Sequence, residues 1–117
     1  MSTGAISTTE TVFACNLNAI AADELEQHKS RVQAVFSAVE ETKEFPNGYA
    51  FRLPTNSDTL LNAAAFIANE RLCCPFFEFS IAVTANGGPI WLQLAGTADV
   101  KEFLKAEFSQ VIDLTAK

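Results

Sequence analysis

With 117 residues, 49% of them hydrophobic and 19% charged, the chain has the composition of one ordinary globular domain and not of a disordered or fibrous protein. Eight Lys and Arg stand against fourteen Asp and Glu, and the net charge of −6 argues against binding to nucleic acid or anionic membrane, which recruit basic patches. Three cysteines cannot all pair within one chain, so a secreted disulfide scaffold is not expected, and no apolar run approaches the roughly twenty residues that cross a bilayer.

Residues 1–10 are polar and rich in Ser and Thr, without the basic start and apolar run of a signal peptide. They read as a flexible segment ahead of a single domain over 11–117, and the expectation is a cytoplasmic protein with reduced thiols. Residues 11–17 alternate as a first strand, with Phe13, Cys15 and Leu17 on one face. From about Ala22 to Thr42 the period becomes helical. Leu25, Val32, Val35, Phe36 and Val39 face inward; Glu24, Glu26, Lys29, Arg31 and Glu40 take the wet side. Pro46-Asn47-Gly48 is a turn, and Tyr49 to Leu53 forms a second strand that Pro54 closes.

Asn56 or Ser57 can cap a second helix from about Asp58 to Cys73 or Cys74. Its inward face is expected to be Leu61, Ala64, Ala65, Ala68 and Leu72, the alanines allowing close approach to a sheet. Pro75 forces Cys74 out of helical geometry. Phe77 to Val83 and Ile90 to Leu94 alternate as a hairpin around Asn86-Gly87-Gly88. Thr97 caps a last helix, from Ala98 to about Val111, with Val100, Phe103, Leu104 and Phe108 inward.

The order βαβαββα predicts an α+β two-layer sandwich, a mixed four-stranded sheet with helices on one face. The apolar face is Phe51, Phe77, Phe79, Ile81, Ile90, Leu92 and Leu94. The other carries Arg52 and Glu78, a potential cross-strand ion pair, and Trp91 at its centre, which suits either a homodimer surface or a solvated face with a lone exposed aromatic.

The chemistry concentrates in Glu70-Arg71-Leu72-Cys73-Cys74-Pro75-Phe76-Phe77. Glu70 precedes the vicinal cysteines by three and four residues, so a helix brings all three to one edge. Cys73, Cys74 and Glu70 form a partial ligand set for zinc, copper(I), mercury(II) or arsenic(III). The absence of a spacer suits mercury or a bridge between chains better than tetrahedral zinc. Passive burial of the thiols in an interaction module is the alternative reading, and a thiol redox enzyme a third.

Catalysis is disfavoured. A helix carboxyl terminus opposes thiolate formation by about 0.3–1 kcal/mol. The one histidine, His28, is expected at the opposite end of a parallel sheet, as an exposed or half-buried helix residue. Cys15 is expected in the core, about 10 Å along the strand direction from the pair. Glu40, Glu41 and Glu44 read as solvated residues at a helix end.

The Cys-Cys-Pro-Phe block resembles a motif of a group of small uncharacterised bacterial proteins. Pro46-Asn47-Gly48-Tyr49-Ala50-Phe51-Arg52, Gly88-Pro89-Ile90-Trp91-Leu92 and Val100-Lys101-Glu102-Phe103-Leu104 are similar as well, so the resemblance covers most of the chain. It implies an association with heavy-metal resistance and no particular reaction.

Overall fold

The computed structural model describes residues 16–109. After a 3-10 turn at Leu17–Ala19 come α1 (Ala22–Ser37), β1 (Glu41–Phe45), β2 (Gly48–Leu53), α2 (Ser57–Cys73), β3 (Glu78–Val83), β4 (Ile90–Ala95) and α3 (Ala98–Phe108). The sheet order is β1-β2-β4-β3, and every neighbouring pair is antiparallel.

Local chemistry sets the boundaries. Asp23 and Glu24 sit in the first turn of α1, where the helix dipole favours acids. The Asn56 side chain accepts from the Thr59 N–H at 2.8 Å and starts α2; Thr97 accepts from the Val100 N–H and starts α3. Asn86 (φ 60°) and Gly87 (φ 71°) take the left-handed conformation that turns β3 into β4. Gly48 lies so close to β4 that any Cβ would collide with the Leu94 carbonyl.

β4 shows the alternation cleanly, with Ile90, Leu92 and Leu94 buried and Trp91 and Gln93 half-buried. All three helices meet the same face. Phe36 of α1 lies edge-on to Phe51, Phe66 of α2 to Phe79, and Phe108 of α3 packs on Phe77, with ring centroids 5.2, 6.1 and 6.2 Å apart. The α+β two-layer architecture with four strands is therefore as expected, and so is its apolar sheet face.

The connectivity differs from the expectation. The order is αββαββα among the described residues, and the sheet is antiparallel and not mixed. Residues 1–15 lie outside the described residues, including the expected flexible segment, most of the expected first strand and Cys15; Asn16 is not in a strand and Leu17 opens the 3-10 turn. The fourth strand is instead Glu41–Phe45, a stretch expected from sequence at the end of the first helix, ahead of the Pro46-Asn47-Gly48 turn. As an edge strand it carries Glu41, Lys43 and Glu44, charges that blunt an edge and erase the apolar alternation.

Two further details change. Arg52 pairs with Glu40 and Glu41 at 3.5 and 3.6 Å, because β4 separates it from Glu78 on β3. Glu44 pairs with Lys101 of α3. In α2 the buried face is Ala63, Phe66, Glu70 and Cys73, while Leu61 is 67% exposed and Leu72 42%. The face read from the alanines is off by nearly half a turn, so the helix buries the side opposite to the expected one. Alanines on both sides of α2 carry little information about phase; Phe66 decides it.

Candidate metal centre

α1 and α2 pack against each other, and the inward stripe of α1 crosses the carboxyl end of α2. That stripe runs Leu25, His28, Val32, Val35, Phe36, so His28 occupies an inward position between two apolar neighbours. Its ring lies 11° from parallel to that of Phe66 at 6.1 Å. The imidazole therefore points its Nε2 at the last turn of α2, where Glu70 Oε1 lies 2.8 Å away.

The two thiols reach the same carboxylate. Cys73 Sγ is 3.8 Å from Glu70 Oε1, Cys74 Sγ is 3.4 Å from Oε2, and the two sulfurs are 3.6 Å apart. Adjacent residues on a helix diverge by about 100°. Cys74 escapes that constraint because Pro75 bars it from helical geometry. Its φ of −129° is about 65° from the helical value, while its N–H still donates to the Glu70 carbonyl at 2.8 Å. The helix end is finished by the Asn16 N–H, which donates to the Cys73 carbonyl at 2.7 Å.

Glu70, Cys73 and Cys74 thus converge as their spacing predicts, and two expectations are overturned. The first concerns His28, which is 2% exposed and joins Glu70 and Cys73 in a group whose ligand atoms all lie within 4.8 Å of one another. The expected parallel topology had placed it at the far end of the sheet; the antiparallel one brings α1 across the end of α2. Its position on the apolar stripe of α1 was the available signal. The second concerns access. Cys73 and Cys74 are 2% and 0% exposed and Glu70 7%, so the sulfurs are enclosed. Cys15 lies outside the described residues, and its expected separation from the pair with it.

Cys73 is a free thiol, whereas Cys74 is half of a disulfide, so the expectation of reduced thiols holds for Cys73 and not for Cys74. Burial, and next the charge of Glu70, push the Cys73 thiol up to about 12. Glu107 of α3 adds to that shift, and its own carboxyl is raised by burial and then by Glu70. The cluster is short of positive charge. It also has an orphan: His28 Nδ1 is buried with no hydrogen-bond partner among the described residues. Such an atom costs about 1–3 kcal/mol and calls for an explanation beyond packing.

The spacing fits an ion. Two sulfurs at 2.3 Å from a tetrahedral zinc stand about 3.8 Å apart, and sulfur and imidazole nitrogen about 3.6 Å. The sulfur separation of 3.6 Å is close to that edge, so the missing spacer between the cysteines is no obstacle. The His28–Glu70 contact is the one furthest below a ligand–ligand edge, so binding an ion requires the carboxylate to swing away from the imidazole.

Trp91 is half-buried on the opposite sheet face, with the Lys43 ammonium 5.0 Å from its ring centroid. Among the described residues no helix is long and apolar enough to cross a membrane. No family model, curated protein or solved structure matches the chain.

Proposed function

We propose that the protein binds one thiophilic cation in this buried centre, with His28, Glu70 and Cys73 as ligands. The observation that carries the reading is the convergence of an imidazole, a carboxylate and a thiol, drawn from two helices, in a site closed to water. A purely apolar role for the cysteines leaves the carboxylate of Glu70, buried against both sulfurs, unexplained. A cation supplies the missing positive charge and draws the proton from Cys73.

Mixed nitrogen, oxygen and sulfur donors match zinc(II) best among the soft and borderline ions, ahead of copper(I), mercury(II) and arsenic(III). The role is binding and not catalysis, since a thiol held near 12 in a closed site is no nucleophile at neutral pH. The cytoplasm, which keeps thiols reduced, is the compartment this use of Cys73 suits. A homodimer through the Trp91 face is compatible with it but not required, because one chain supplies all three ligands. The resemblance to bacterial proteins associated with heavy-metal resistance agrees.

Native mass spectrometry of the full chain titrated with zinc(II) or cadmium(II) tests the reading. One ion per chain is expected in the parent, and a large loss of affinity in Cys73→Ser and in His28→Gln. Failure of the parent to retain an ion, or equal retention by both variants, sinks it.

A further inference from the structure

We propose that the redox state of Cys74 gates the centre: while its sulfur is tied in a disulfide the ion has three ligands, and two-electron reduction supplies the fourth. The inference rests on the metal-binding reading above and adds its regulation.

The geometry singles out Cys74. Its sulfur is 3.6 Å from Cys73 Sγ and 3.4 Å from Glu70 Oε2, at the separation of neighbouring ligands on one ion. It is also fully enclosed, so it has no surface role. Yet it is disulfide-bonded while its neighbour is free. A disulfide sulfur carries no charge and is a poor ligand beside a thiolate. Oxidised, the site offers one thiolate and one carboxylate against a dication; reduced, it offers two thiolates, a carboxylate and an imidazole.

The chemistry balances with a dithiol as reductant. The Cys74 disulfide takes two electrons and two protons, giving the Cys74 thiol and the thiol of its partner, while the dithiol closes to its cyclic disulfide. On binding, Cys73 and Cys74 each release a proton to solvent and their sulfurs bond the ion. A bound ion then occupies the lone pairs that reoxidation needs, so loading protects the reduced state. The sequence leaves Cys15, or a cysteine of a second molecule, as the source of the partner sulfur.

The test uses the full chain in two states, air-oxidised or reduced with dithiothreitol and desalted under anaerobic conditions. Each is titrated with cadmium(II), following thiolate-to-metal charge-transfer absorbance, and disulfides are mapped by peptide mass spectrometry. The reduced chain is expected to bind at least about 100-fold more tightly, the upper end of what losing a mere outer-shell partner costs. Its charge-transfer band should be about twice as intense, because two thiolates and not one ligate the ion. Cys74→Ser should show no gain on reduction.

Equal affinity and equal band intensity in the two states overturn the gate and leave the three-ligand site standing. A free Cys74 thiol in the oxidised chain also overturns it, as does a Cys74→Ser variant that still gains on reduction. If neither state of the parent binds cadmium(II), the metal-binding reading fails and the gate with it.

Discussion

The two ends of α2 are built on opposite principles. At the amino end Asn56 caps the helix, Asp58 sits where the dipole favours an acid, and Ser57 and Asp58 are exposed. Each choice stabilises the helix. At the carboxyl end a carboxylate and two sulfurs are buried where the partial negative charge of the helix opposes any anion. That end also orphans a histidine nitrogen. Stability accounts for the first end and argues against the second, a contrast that the proposed metal centre would explain.

The middle of α2 gives the scale. Phe66 is fully buried and meets Phe36, Phe79 and Phe108 edge-on, with His28 stacked on its ring. Phe66→Ala should destabilise the protein by about 3–5 kcal/mol, read as a lowered urea midpoint at unchanged slope. Glu70→Gln is the contrasting change at the carboxyl end. It keeps the shape and removes the buried charge, so the metal-free protein should be as stable as the parent or more so. Affinity for zinc(II) or cadmium(II) should instead fall by about 100-fold, or about 2.7 kcal/mol. A Glu70→Gln protein that unfolds as readily as Phe66→Ala would make the carboxyl end as structural as the middle.

How far the sequence foretold these parts follows from the same physics. The β3–β4 hairpin, the caps of α2 and α3, and the approach of Glu70 to Cys73 and Cys74 were legible because each depends on residues within a few positions of one another. β1 was not, since a charged edge strand lacks period-two hydrophobicity. His28 was not, because its partner is 42 positions away and only the sheet topology brings them together. The inward face of α2 was not, because its alanines stand on both sides of the helix and the exposed ones imitate an inward stripe.

Alkaline pH separates the two ends without mutation. In the metal-free protein the Cys73 thiol is raised from 9.0 to about 12, mainly by burial and then by Glu70. Between those values the unfolded chain has lost a proton that the folded chain keeps. The unfolded state therefore binds fewer protons, and stability falls as pH rises from about 9 toward 12, by up to about 1.4 kcal/mol per pH unit. Tyr49, whose hydroxyl is raised above its usual value by burial and then by Glu44, adds a loss of the same sign. Urea midpoints at pH 8 and 10.5 should therefore converge partly in Cys73→Ser. Zinc(II) affinity should move the other way, rising with pH as each released thiol proton becomes easier to lose. A parent whose stability is flat above pH 9 would mean that Cys73 is not held protonated.

The smallest expected effect belongs to the amino end. Asn56→Ala removes the acceptor for the Thr59 N–H and should lower stability by about 0.5–2 kcal/mol. Asn56→Asp keeps the acceptor and adds a charge that the dipole favours, so it should be neutral or slightly stabilising. Neither change touches Glu70 or the sulfurs, and the first turn of α2 lies more than three turns from them, so ion affinity should remain at the parent value. Chemical denaturation and a cadmium(II) titration on the same samples make the comparison direct. Loss of affinity in Asn56→Ala would mean that the carboxyl end is held together by the helix as a whole, and not by the local turn that Pro75 and Asn16 finish.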